Sequence, residues 1–199
     1  MFRTRNRRLA VVALAAAWAV LLAGCGDGDN DMGHDGMDMP ASDQPAGDHN
    51  SADVEFATAM IPHHQQALEM AALAEDRAQS PEVKALAAKI EKAQDPEIEL
   101  MSGWLRDWDQ PVPSPGSMSG RQMPGMMSEH DMASLKDTSG KDFDRLFLKL
   151  MISHHQGAVD MARDEQKDGK NPAVKKLARS IATSQTAEIK QMRDLLDRP

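Results

Sequence analysis

The chain has 199 residues, of which the first 24 read as a removable leader, so about one domain's worth of core remains and a large multidomain enzyme is excluded. The formal charge is −8, but the leader holds four arginines (Arg3, Arg5, Arg7, Arg8) and no acid, so the remainder carries 19 basic against 31 acidic residues, a net −12. Such a chain repels phosphate backbones and anionic lipid headgroups, and nucleic-acid binding is not expected. Aromatic residues make up 4% with no tyrosine, whereas methionine occurs 15 times, which shifts the soft apolar surface from rings to thioethers.

Residues 1–8 are basic, 9–23 almost wholly apolar, and Gly24-Cys25 follows, the layout of an export signal. The apolar run is too short to span a bilayer, which takes ~20 residues. Leu22-Ala23-Gly24-Cys25 resembles the lipobox of bacterial lipoproteins, which implies acylation of Cys25 and a lipid-anchored, extracytoplasmic protein. With Cys25 consumed no thiol remains, so a soft metal site has to be built from methionine and histidine. Residues 25–50 are rich in Gly, Asp and Pro and are expected to be disordered. Their run from Asp31 to Met39 mixes thioethers, an imidazole and carboxylates, and reads either as a copper-collecting arm or as a solvated spacer.

The rest is a duplication. Sliding the chain by 91 residues aligns Met60-Ile61-Pro62-His63-His64-Gln65 with Met151-Ile152-Ser153-His154-His155-Gln156, and 19 of 46 positions from 60–105 match 151–196. In chain order the apolar period and the Ser80-Pro81 and Asn171-Pro172 starts predict helices over 51–78, 81–108, 141–168 and 172–197. The linker 109–140 is long enough for one crossover, with a short helix near 128–136, and its methionines either cap the core or handle metal. Two hairpins that cannot bury their stripes alone imply an all-α fold, a four-helix bundle spanning 51–198 with repeats 51–108 and 141–198. Asp53 and Asp144 are read as helix N-caps first and ligands second. Pro62, whose counterpart is Ser153, is expected to kink the first helix and to leave the second repeat with the better-formed site.

At ~100° per residue both histidines of each pair flank a methionine on the inward arc, and Glu97 and Glu188 fall inside apolar stripes. A buried carboxylate needs a cation or a donor. The candidate metal ligands are therefore His63, His64, Met60, Glu97 and Met101 in the first repeat, and His154, His155, Met151, Glu188 and Met192 in the second. A metal-free network of core imidazoles bonded to Glu97 and Glu188 is the alternative. Imidazole and thioether without thiolate suit copper, Cu(I) preferring Met and His, while carboxylate with His would also accept Cu(II) or Zn(II). No Glu-x-x-His of a di-iron bundle and no His-Glu-x-x-His of a zinc protease occurs. Protonation of ligating imidazoles would weaken binding as pH falls through ~6.5.

Met60-Ile61-Pro62-His63-His64-Gln65-Gln66-Ala67, Gln94/Glu97-Ile98/Met101 and Met123-Pro124-Gly125-Met126-Met127-Ser128 resemble domain-of-unknown-function family 305. The resemblance covers about residues 51–198 and implies an exported, ferritin-like helical bundle with a link to copper binding and tolerance. The sequence thus reads as an extracytoplasmic lipoprotein that buffers or sequesters copper, with copper ions and the membrane as its partners. An oxidase acting on Cu(I) or another reduced metal, a metal-free interaction module, and self-association into homo-oligomers stay open.

Overall fold

The computed structural model describes residues 47–114 and 123–198. The leader, Cys25, the run from Asp31 to Met39 and Met118 of the linker lie outside the described residues. Five helices follow in order: α1 Ser51–Arg77, α2 Pro81–Asp107, α3 Glu129–Asp137, α4 Gly140–Asp168 and α5 Pro172–Leu196. Among the described residues there is no strand, only one isolated bridge between Ala78 and Gly140. No described helix is long and apolar enough to cross a membrane.

Local chemistry sets the ends. Asn50 caps α1 through its side chain, Ser80 and Asn171 cap α2 and α5 ahead of a first-turn proline, and Ser128 forms a capping box with Asp131 at α3. α1 continues through Pro62 as one 27-residue helix.

Asp53 and Asp144 correct the N-cap assignment. Asp53 sits at the third position of α1 and accepts from the Asn50 backbone at 2.7 Å. It also accepts from the backbone N–H groups of Lys170 and Asn171, at 3.2 and 2.9 Å, in the opposite hairpin. Asp144 does the same in reverse, accepting from Gln79 at 3.0 Å and Ser80 at 2.9 Å. The two contacts are related by the 91-residue offset, so each repeat caps the turn of the other. A helix period cannot reveal this, because the donors lie 64 to 118 residues away.

α1 packs on α2, α4 on α5, and the hairpins join through α1 and α4, with α3 touching both of the latter. The core divides into two clusters. One gathers Met70, Leu86, Ile90, Phe143, Phe147 and Met192, and the other Phe56, Met60, Met101, Trp104, Ala158 and Ile181. Side chains from all four long helices enter each cluster, which is how two stripes too large to hide within one hairpin leave water.

Candidate metal centre

The His-His pairs lie midway along α1 and α4, and all four imidazoles are fully buried. The first histidine of each pair points into the seam between these helices. His63 and His154 meet there with ring centroids 3.8 Å apart and planes tilted by 40°. The second histidine turns toward the other helix of its own hairpin: His64 Nε2 bonds to Glu97 Oε2 at 2.8 Å, and His155 Nε2 to Glu188 Oε2 at 2.9 Å. Two separate pockets, one per repeat, were the expectation. The structure instead joins the repeats at a shared pair of rings and leaves a His–Glu pair on either side.

Hydrogen bonding leaves the ring nitrogens in an uneven state. His63 Nε2 donates to the Pro124 carbonyl at 3.1 Å. The Nδ1 atoms of all four histidines, and Nε2 of His154 as well, have no partner within the protein. Burial, and then the neighbouring His64, push the His63 pKa down to about 3 against the pull of the Pro124 bond. His154 lies well below its ordinary value through burial and then its contact with His63. For His155 burial outweighs the Glu188 partner, so its pKa is also lowered. These shifts alter the expected pH dependence. His63 and His154 stay neutral far below pH 6.5, so proton competition at these two rings does not begin there. Burial would raise Glu188, but His155 and Lys89, whose Nζ is 3.2 Å away, together hold it below the usual carboxylate range.

The thioethers are in place but divided. Met60 and Met101 are fully buried in one apolar cluster, and Met151 and Met192 in the other. Among the described residues no group of three or more His, Cys, Asp or Glu side chains is arranged to hold a metal ion. Both amide atoms of Gln94 are buried without a protein partner.

A strap over the seam was not foreseen as part of the site. Met123-Pro124-Gly125-Met126-Met127 crosses α1 and α4 beside the paired His63 and His154 rings. Gln66 clamps it, accepting from Met127 N at 2.7 Å and donating to Met127 O at 3.0 Å. Gly125 has φ +78°, and a Cβ there would lie 2.7 Å from the Ser153 carbonyl and 2.9 Å from that of His154. On Gly157 a Cβ would stand 2.0 Å from Pro124 O. Gln66 and Gly157 occupy the same position of the two repeats, so a mismatch inside the shared motif was the available signal.

The model of the family described as Domain of unknown function (DUF305) matches residues 53–196. A DUF305 protein from Streptomyces coelicolor, described as a candidate secreted protein, is 40% identical with a TM-score of 0.68, covering 73% of this chain and 92% of its own. A DUF305 fragment from Deinococcus radiodurans is 37% identical with a TM-score of 0.70, covering 77% and 100%. CopM in its Cu(I)-bound form is 38% identical with a TM-score of 0.61, covering 72% and 94%, and CopM has also been crystallised with Cu(II) and with silver. Comparison with functionally curated proteins returns no match.

Proposed function

Because this chain belongs to the DUF305 family, we propose that it binds copper at the α1/α4 seam and buffers or sequesters it outside the cytoplasm. The observation that carries this reading is the set of five buried imidazole nitrogens without protein partners, on four fully buried rings. A core network without metal would leave these desolvated nitrogens without a hydrogen-bond partner. The similarity to CopM, solved with both copper oxidation states, supports the choice of ion.

In this reading His63 and His154 supply imidazole to the ion, and Met60, Met101, Met151 and Met192 are the available thioethers. Glu97 and Glu188 hold His64 and His155 by their Nε2 atoms, the way carboxylates orient metal-binding imidazoles, and leave Nδ1 free. Copper is cargo here. The chain's own contribution is a dry seam, neutral rings and a strap that limits access. The four long helices form a ferritin-like four-helix bundle over 51–198, and Cys25 carries the lipid that tethers it to the membrane.

Copper titration of the purified mature protein, with and without residues 25–50, tests this. Copper that binds only the folded state stabilises it by ~2.7 kcal/mol at a hundredfold excess over Kd, so the melting temperature of the tail-less protein should rise. Binding confined to the tailed protein, with melting of the core indifferent to copper, defeats the seam site. Steady oxygen consumption with excess Cu(I) would point to an oxidase instead, since a buffer stops once filled. Replacing Cys25→Ser should free the protein from membranes.

A further inference from the structure

The seam between α1 and α4 is closed at one end by α3, through Met132 and Leu135. At the other end it opens into a groove of about 580 Å³ beside Phe56, Ala59 and Met161, with Met123 and Pro124 of the strap on its wall. Pro124 therefore stands between that groove and the histidines, since its carbonyl oxygen is also the partner of His63 Nε2 at 3.1 Å.

The contacts that hold this carbonyl exist once in the duplication. Gln66, one turn beyond His63 on α1, grips the strap at Met127 through both of its amide atoms. From α4 the Gly157 backbone comes so close that a Cβ on it would lie 2.0 Å from Pro124 O. Met126 N bonds back to Met123 O at 3.2 Å, which closes a turn around Gly125 with its φ of +78°. The carbonyl is thus fixed by α1, by α4 and by the strap's own turn, and it is aimed at His63. In the second repeat Gly157 stands where another Gln66 would be, and both ring nitrogens of His154 are left without a protein partner.

A carbonyl oxygen only accepts, so the hydrogen of this pair belongs to His63 Nε2. Complete burial keeps the ring neutral. A neutral imidazole has one N–H and one lone pair, which places the lone pair on Nδ1, itself buried with no protein partner. At His64 and His155 the Nε2 partner is a carboxylate, whereas His63 takes its partner from the backbone of the crossover.

We propose that Gln66 is a positioning residue for the metal centre: by clamping the strap it holds the Pro124 carbonyl on His63 Nε2 and so fixes Nδ1 as the atom this ring offers to an ion. That an ion binds there rests on the copper reading of the histidines; the fixed tautomer does not. A cation on Nδ1 draws electron density from the ring and makes Nε2–H a stronger donor, so loading tightens the strap. An ion on Nε2 would have to take the place of the Pro124 carbonyl and would release the strap instead.

The test is nitrogen NMR on the full-length protein, isotope-labelled in its histidines, without metal and then with Ag(I) alone as a diamagnetic substitute for Cu(I). His63→Gln assigns the signals. Without metal, His63 should show a protonated Nε2 and a bare Nδ1, and its ring hydrogen should exchange slowly with water, as should the Met127 amide hydrogen. Silver should shift Nδ1 of His63, leave Nε2–H in place and make Met127 exchange no faster. Gln66→Ala should speed the exchange of both hydrogens and weaken silver binding by roughly 10–100-fold, as removal of a group that orients a ligating imidazole does. Gly157→Ala displaces the same carbonyl from the other helix and should change the His63 signals in the same way. An Nδ1–H tautomer in the wild type, silver on Nε2 with release of Met127, or a Gln66→Ala spectrum identical to the wild type would each overturn the proposal. Silver that shifts no histidine nitrogen, while the metal-free tautomer is present and responds to Gln66→Ala, would defeat the copper reading and leave the clamp standing.

Discussion

His64 and His155 stand at equivalent positions and each bonds to the equivalent glutamate, yet their surroundings differ. Glu188 is almost fully buried and is shared between His155 and Lys89 of the neighbouring hairpin, whereas the Glu97 side chain is 19% exposed with His64 as its hydrogen-bond partner. The position matching Lys89 in the second repeat is Ser180, which cannot make the reciprocal contact. The inner rings differ in the opposite sense. His63 is tied to the strap, and His154 has both nitrogens without protein partners. Duplication thus supplied one scaffold twice, and the crossover and a single lysine made its halves unequal. Both repeats anchor their outer ring, the second with a more deeply buried glutamate, and only the first anchors its inner ring.

The largest effect should come from the inner rings. His154→Ala should cost more copper affinity than the roughly 10–100-fold typical of removing an outer partner, and at least as much as His63→Ala. A competition titration against a chelator of known affinity measures both. If neither variant changes affinity, the rings return to a structural role.

Next is the contrast between the glutamates. Glu188→Gln removes the charge and one of the two buried acceptor oxygens that His155 and Lys89 share, and should destabilise by about 1.5–3 kcal/mol. Glu97→Gln, at a partly exposed position, should cost less than ~1 kcal/mol. Urea unfolding reads both values, and equal losses would mean that Lys89 and the deeper burial contribute nothing.

Gly157→Ala should drive the strap from the seam, because its Cβ would meet Pro124 O at 2.0 Å. Overpacking of this kind costs about 1–3 kcal/mol. Faster proteolysis within 123–127, with the rest of the chain still folded, would accompany it. Wild-type stability and protease resistance would show that the strap does not depend on that close approach.

The smallest effect per step is on acid stability. The folded-state pKa of His63, about 3, lies below its unfolded value near 6.5, so between these limits the unfolded chain binds the extra proton. Stability is complete above pH ~6.5 and falls on acidification, by at most ~1.4 kcal/mol per pH unit for this ring. His63→Gln should flatten that slope in the metal-free protein. Glu165 acts in the opposite direction: its folded pKa of about 8 exceeds its ordinary value of 4.5, so its contribution weakens as pH rises between them. Glu165→Gln should remove that alkaline loss, and unchanged melting curves at pH 5 and 9 would contradict the assignment.

The helices were legible almost to the residue, because a 3.6 period, a proline at the first turn and a capping side chain are local signals written within one element. The duplication was legible for the same reason, and with it the inward position of all four histidines and their two glutamates. Which atoms those side chains would meet was not. That His63 meets His154 depends on how far α4 slides and turns against α1, and the packing of both apolar clusters decides this together. The caps from Asp53 and Asp144 reach across to the opposite hairpin, and the strap lies on the seam only because Gly157 admits it and Gln66 clamps it. Helical period, capping and repeat are properties of neighbours along the chain, so the sequence by itself determined them. Ring contacts, hydrogen-bond partners and the contrast between a covered and an open end of the seam arise between segments far apart in sequence, where the register is set only when all four long helices bury their apolar faces at once.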